Sequence, residues 1–423
     1  MKPKLLITLL AAVISLAMSG EEFYDFKVNG IAYKINEDAP TTVSVTKEQD
    51  PNIAETNYTS YANLTGTLTL PERVTHDGVT YTVTAIGLEA FQGCAGLTGE
   101  LVLPKTITLI DHWAFYQCSG LTGHVVIPDG VTMVGYGAFG ECDGLRSVTV
   151  PASVQQLDPG SLDAPGLDTV VVLMDDITSI AARFKRGIFH YTSTGVDLST
   201  CRLVVPAVAQ QQYQAFIPWC DFEHVDLLEN VDGQGTVDVS DVNMTINAML
   251  GKISDPQVVT AADVNRDGAA DVSDVNRIIN AMLGKYPRLW DSSVTIDMSG
   301  SYDTDMEQST YNGVTFAEWA AQYGKTTQCT GINIERIAPG IFFCNDIFGG
   351  CYSQILDAGF MYLMSCYLRV DNEGNVSLMS SYCPAWESGL GALTDGHYDS
   401  ATATLSCNLM FNGRPFHIVL RLP

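Results

Sequence analysis

The sequence predicts a multi-domain chain with a repeat-built β-solenoid, a small all-α domain and a mainly-β C-terminal domain. Three observations carry that expectation. A phrase of about 24 residues recurs between residues 81 and 173. The fifteen residues 238–252, DVSDVNMTINAMLGK, return thirty-three positions later at 271–285 with thirteen identical. Beyond residue 288 the composition turns to Gly, Ser, Thr, Tyr and Cys with the alternation of β-strands.

The repeat reads TAIGLEAFQGCAGLTGELVLP, TLIDHWAFYQCSGLTGHVVIP, TMVGYGAFGECDGLRSVTVP and a decayed QQLDPGSLDAPGLDTVVVL. Phe91, Phe115 and Phe139 are spaced by 24, as are Cys94, Cys118 and Cys142, while Pro104, Pro128 and Pro151 close the strands. A period in this range, with paired leucines and one short strand per unit, predicts a leucine-rich-repeat β-solenoid in which each unit buries its apolar side against the next. Alternation sends Leu101, Leu103, Val125, Ile127, Val148, Val150, Val170 and Val172 inward. Val102, Val126, Thr149 and Val171 then line the opposite face, with Glu100 and His124 at its edge. That ladder reads either as a partner-binding surface or as β-branched residues filling a pleated face.

In each copy of the duplicated segment a calcium-type loop precedes a helix. Asp263, Asn265, Asp267, Gly268, Asp271 and Asp274 stand at positions 1, 3, 5, 6, 9 and 12 of an EF-hand-type loop, and the Ala269 carbonyl falls at position 7. Alternate side chains of a tight loop converge on one centre, the glycine permits the bend, and carboxylates supply the hard oxygens that Ca2+ prefers. The first loop places Asn230, Asp232, Gln234, Gly235, Thr236, Asp238 and Asp241 equivalently. Asn230 and Gln234 replace Asp263 and Asp267 while Asp232 replaces Asn265, so the first loop carries one carboxylate fewer and the second site is expected to bind more tightly.

A duplicated loop with a single following helix, and Asp at position 12, resembles the type I dockerin module. The resemblance implies a cohesin-like partner read by loop positions 10 and 11, here Val239 and Ser240 or Val272 and Ser273. A competing reading makes the module an internal clamp between its neighbours. The AFxxCxxL phrase followed by a strand and proline resembles the BspA-type leucine-rich repeats of bacterial surface proteins, with entry strands at 26–35 and 66–87 and a closing cap at 201–228. It implies adhesion, with a protein or glycan ligand on the repeat face. The third unit has a shorter strand, and the fourth lacks both aromatic and cysteine.

Domain boundaries are expected at 1–20 for a signal peptide, 21–80 for the N-terminal cap, 81–228 for repeats and closing cap, 229–287 for the calcium module and 288–423 for the β domain. Lys2 and Lys4 before the apolar run 5–17 and a small-residue ending give the layout of a secretory signal. The exported chain is expected to be secreted or at the cell surface, without membrane insertion and without a lipid-anchor cysteine, the first cysteine being Cys94. A net charge of −26 opposes phosphate backbones, which argues against nucleic acid.

Among the eleven cysteines, the three repeat thiols are expected to pack as small hydrophobes. Cys329, Cys344, Cys351, Cys366, Cys383 and Cys407 allow up to three disulfides with fifteen pairings. Tyr302, Tyr311, Trp319, Tyr352, Tyr362, Trp386 and Tyr398 read either as a sugar-stacking platform or as strand and core residues. DNEG at 371–374 and NGRP at 412–415 read as hairpin turns, and DIFGGCY at 346–352 and GHYD at 396–399 resemble uncharacterised β domains of Bacteroidetes surface proteins. No catalytic residue is assigned. GxSxG and HExxH are missing, GKTT lacks its upstream glycine, and the seven histidines are scattered. The expectation is a non-enzymatic interaction protein, against the alternative of a secreted hydrolase of polysaccharide or glycoprotein acting through the last domain.

Overall fold

A computed structural model describes residues 24–47, 61, 64–184, 186–190, 195–286, 288–325, 328–356, 362–386 and 388–423. The expected signal peptide lies outside these residues. The chain divides into two compact units, residues 1–173 with 186–203, and residues 174–185 with 204–423.

In the first unit an antiparallel hairpin, Phe26–Val28 with Ile31–Ile35, leads to Thr42–Thr46, which runs parallel to Val79–Ile86. Two parallel ladders then climb the repeats. One pairs Leu109–Ile110, Met133–Val134 and Gln156–Leu157, and the other pairs Gly123–Val126, Leu145–Val150 and Thr169–Val172. Where one strand per unit was expected there are two, because the TLI, TMV and QQL phrases also extend and bond to their neighbours. The first expected strand is reduced to isolated bridges, Thr69 with Val102 and Gly99 with Leu121.

Inside the repeats the rings of Phe91, Phe115 and Phe139 stack with centroids 5.3 and 5.4 Å apart. The thiols of Cys118 and Cys142 each donate to a carbonyl of the preceding unit, 27 residues back, Phe91 O and Phe115 O, at 3.1 Å. Each of these carbonyls also accepts from a backbone amide, Cys94 N and Cys118 N, at 3.2 Å, so the thiol uses the second lone pair. Burial pushes the Cys142 thiol up to about 12. The eight inward residues are buried, while Val102 and Val126 are 62% and 52% exposed and Thr149 and Val171 are half-buried. His124 is tied to Ser147 Oγ at 2.9 Å and Thr149 Oγ1 at 3.2 Å.

The second unit ends in an eight-stranded antiparallel barrel. Its strands follow the order Gly300–Thr304, Ile332–Ala338, Ile341–Cys344, Ser365–Val370, Asn375–Tyr382, Ala392–Asp399, Thr404–Phe411 and Arg414–Arg421, and the last closes on the first through Asp303 and Thr304. Closure removes the edge that an open sheet would expose. The 371–374 turn joins its two strands, and Asn412 and Gly413, with φ of 49° and 71°, form the tight turn of the last hairpin.

Side chains fill the barrel. Tyr302, Trp319 and Tyr398 are buried in that core, and Tyr311, Tyr352 and Trp386 pack against it, with Trp386 4.9 Å from Tyr352 and Trp319 4.8 Å from Tyr311. Six of the seven candidate stacking aromatics therefore serve the interior or its margin. None of the eleven cysteines is in a disulfide, and ten are buried. Cys344 and Cys366 face each other across neighbouring strands.

Asp346 sits wholly inside, accepting from Phe348 N, Met364 N, Gly350 N and Ser353 Oγ at 3.1 to 3.3 Å. Burial raises its carboxyl to about 6 against the pull of those bonds. Among the described residues no helix is long and apolar enough to cross a membrane.

Candidate calcium and docking site

Residues 228–286 form two loops, each followed by an eleven-residue helix, Val239–Met249 and Val272–Met282, with a short helix Pro256–Ala262 between. Each long helix starts at a capping box. Asp238 Oδ1 accepts from Ser240 N and Asp271 Oδ1 from Ser273 N, both at 2.6 Å, while Asp241 and Asp274 reach back to Asp238 N and Asp271 N at 2.8 Å. Carboxylates suit this end because four amides there lack helical acceptors. The core beneath is small: Val231, Ala248, Ala262, Val264 and Ile278.

The second loop folds around its own acids. Asp263 accepts from Asp267 N at 3.1 Å and Gly268 N at 3.0 Å, Asn265 Oδ1 from Asp267 N at 2.9 Å, and Asp274 Oδ1 from Asn265 N at 3.0 Å. Gly268 takes φ +104°, and Arg266, at position 4, takes +60° where the first loop has Gly233 at +65°. In the first loop Asp241 Oδ1 accepts from Asp232 N at 3.0 Å and Asp232 from Gln234 N at 2.8 Å. Asp241 and Asp274 are fully buried.

Among the described residues no group of three or more His, Cys, Asp or Glu side chains is placed to hold a metal ion. The donor set nevertheless fits Ca2+. Every candidate ligand is a carboxylate, amide, hydroxyl or carbonyl oxygen, and the buried Oδ1 of Asn230, at position 1, has no hydrogen-bond partner. Thr236 and Ala269 lie exposed at position 7. The four residues at positions 10 and 11 are all exposed, Val239 at 60% and Val272 at 61%.

One tie was not anticipated. Arg277 Nε donates to Glu229 Oε1 at 2.9 Å, and its Nη atoms reach the Asp175 carboxylate. Glu229 is fully buried and also accepts from Ala207 N at 2.8 Å. Burial pushes the Glu229 carboxyl up against those bonds. Burial also disfavours the Arg277 charge, but its two carboxylate partners more than offset this and hold its pKa above the ordinary arginine value. The signal was available in sequence, because Arg277 for Met244 is one of only two differences between the copies.

Farther along, Leu289 N donates to Gln211 Oε1 at 2.7 Å and Arg369 Nη2 to Leu289 O at 3.1 Å. Ile217 N donates to Tyr367 OH at 2.8 Å, so the 204–228 segment also bonds to the barrel. A cleft of about 700 Å3 opens beside this linker, with Arg288, Trp290, Asp291, Arg369, Asp371 and Ser377 in its wall. Its two acids are turn caps. Asp291 accepts from Ser293 N and Asp371 from Asn375 Nδ2, and those bonds hold both below the usual carboxylate range.

Comparison with known proteins agrees with the sequence reading. Residues 73–192 match the family model of the BspA type leucine rich repeat region in six copies, residues 228–283 match the dockerin type I domain, and residues 291–422 match a model described as a C-terminal domain. Among solved structures, similarity extends to a lipoprotein from Bacteroides thetaiotaomicron at 25% identity and TM-score 0.25, over 30% of this chain and 61% of that one. A leucine-rich repeat protein from Bacteroides ovatus matches at 24% and 0.31, over 49% and 42%, and one from Bacteroides capillosus at 29% and 0.28, over 35% and 96%. The chain thus spans 61% and 42% of the first two relatives' lengths. A search of curated proteins finds no match.

Proposed function

We propose that this chain is a secreted or cell-surface interaction protein, without catalytic activity, that binds calcium at residues 230–274 and a partner through its repeats. In this reading the repeats stack as a solenoid across 81–228, capped at 21–80, the three helices form an all-α module at 229–287, and 288–423 is the separate β domain. The repeats of this family type and the dockerin match support an interaction role.

The observation that carries the calcium assignment is the doubled twelve-position loop with its helix-capping acids. Asn230, Asp232, Gln234, Thr236, Asp238 and Asp241 would hold one ion, and Asp263, Asn265, Asp267, Ala269, Asp271 and Asp274 the other. When bound, Ca2+ supplies positive charge that offsets the mutual repulsion of the loop acids. Ordering of the loops is therefore coupled to binding. Val239 and Ser240, or Val272 and Ser273, would then face a cohesin-like partner, and their exposure in both copies leaves either one able to dock. The Arg277 ties leave room for the internal clamp as a second role, with the module holding its neighbours in the same unit.

On the opposite face of the repeat strands, Val102, Val126, Thr149 and Val171 would bind a protein or glycan ligand. A non-enzymatic role is favoured over polysaccharide hydrolysis by the cleft acids. Both Asp291 and Asp371 are engaged within their own turns, by Ser293 N and by Asn375, rather than set facing one another as an acid and base pair would be. Calorimetric titration of calcium into the chelator-stripped full chain, with helicity followed by circular dichroism, tests the proposal. Two unequal sites with a gain of helix support it; absence of heat and of helix change sinks it.

A further inference from the structure

Two thiols meet in the wall of the barrel. Cys344 ends the strand Ile341–Cys344 and is the register partner of Cys366 on the antiparallel neighbour, Ser365–Val370. Both side chains turn into the barrel core and are fully buried. Residues opposed in this way stand about 4.5–5.5 Å apart at Cα, inside the range of about 4.4–6.8 Å that a disulfide bridges. The two thiols lie within side-chain hydrogen-bond reach of each other. Closing a bond between them takes a rotation about each Cα–Cβ bond and a slight approach of the two strands.

The other thiols are placed differently. Cys407 is opposed by Ile418 and Cys383 by Ser388. Cys351 opens the helical turn Cys351–Ile355 and Cys329 precedes the strand Ile332–Ala338, so neither sits in a strand. In the repeats, Cys118 and Cys142 are each tied to a main-chain carbonyl. Burial also decides when the Cys344 and Cys366 pair can react. The thiolate is the nucleophile in disulfide chemistry, and burial holds the Cys366 thiol well above its ordinary pKa. A closed barrel therefore protects both sulfurs, and a bond between them is made while the two strands are still open to solvent.

We propose that Cys344 and Cys366 join in a disulfide as the chain folds in an oxidising compartment, with a small-molecule or protein disulfide as the oxidant. The structure holds both as thiols, the state before oxidation. One cysteine thiolate attacks a sulfur of the oxidant and expels its first thiolate; the other then attacks the mixed disulfide at the cysteine sulfur and expels the second. The two protons given up by the cysteines end on the two released thiols, and the two electrons lost by the pair reduce the oxidant. The bond closes a ring of 23 residues, 344–366. Within that ring Asp346 gathers Phe348 N, Gly350 N and Met364 N, so the link fastens both ends of this segment at the barrel wall and restricts the unfolded chain. The inference goes beyond the interaction role and draws on it only for the compartment.

The test folds the full chain in a buffer of reduced and oxidised glutathione, alkylates the remaining thiols under denaturing conditions, and digests with trypsin and a protease that cuts before aspartate. Cleavage after Arg336 and Arg369 and before Asp346 and Asp357 puts Cys344, Cys351 and Cys366 on separate peptides. The expected product is peptide 337–345 linked to peptide 357–369, parted by dithiothreitol. In C344A the Cys366 thiol should be fully alkylated. Dithiothreitol should lower the urea midpoint of the parent and leave that of C344A/C366A where it is. The proposal is overturned if both cysteines are alkylated in the folded parent, if either is linked to a different cysteine, or if the reductant moves the parent and the double variant equally. Calcium heats from the same preparation report on the loops separately. Their absence would count against residues 230–274 as a calcium site and leave the linkage result standing.

Discussion

The guanidinium of Arg277 donates through Nε to the buried carboxylate of Glu229 at 2.9 Å, across 48 positions of sequence, so an ion pair holds the second helix of the duplicated pair at its middle. Met244 stands at the equivalent point of the first helix. The two copies share the same loop logic and helix caps, and diverge where one must meet the rest of its unit.

Breaking that pair should cost far more than removing it. R277M strands a buried carboxylate and is expected to destabilise the second unit by about 3–5 kcal/mol, whereas the E229Q/R277M double variant should recover much of the loss. Urea unfolding of the two single variants and the double variant measures the coupling; a double variant as unstable as the sum of the singles would show that the two residues act independently.

Calcium affinity should follow loop charge. N230D adds a carboxylate at a position whose Oδ1 is buried and unpartnered, and it should tighten the first site by about an order of magnitude. D267N should weaken the second site. Calorimetry resolves both changes, and equal affinities in parent and N230D would contradict the assignment of position 1.

Asp346 gives the barrel a pH dependence of definite sign. Its folded pKa, about 6, lies above the ordinary carboxylate value, so the folded state holds the proton more tightly than the unfolded one. The contribution of this group is therefore most favourable below the unfolded pKa and is lost as pH rises from about 4 through 6, on the order of 3 kcal/mol in all. D346N should flatten that slope. Denaturant midpoints at a series of pH values for parent and variant read it directly, and an unchanged slope would remove Asp346 as its source.

The phenylalanine stack should behave as a single core element. F115A opens a void between rings packed on both sides and is expected to cost about 3–5 kcal/mol. Because Phe91 and Phe139 lose the same neighbour, F91A/F115A should cost less than the sum of its parts. Additive losses would mean that the rings do not pack as a continuous ladder.

Legibility in the sequence tracked the range of the interactions. The loops and their helices were readable because the candidate ligands, the cap acids and the glycine all fall within twelve residues. The inward strand residues were readable because a repeat writes the same burial pattern in successive units, and all eight are buried. The second ladder was missed because two-residue strands such as Leu109–Ile110 are too short to show alternation. The aromatics of the last domain stayed ambiguous since stacking platforms and barrel cores draw on the same residues.

The sequence by itself determined the period of the repeats, the doubled loop–helix segment and which strand residues face inward, since each depends on spacing within one unit or on a spacing repeated from unit to unit. Tertiary structure alone decided the closure of the barrel through Asp303 and Thr304, the burial of Asp346, the bond from Arg277 to Glu229 and the close approach of Trp113 to Gly137. Those features join residues whose separations carry no periodic signal, and burial there reverses the ordinary preferences of charge and backbone that a sequence reading must rely on.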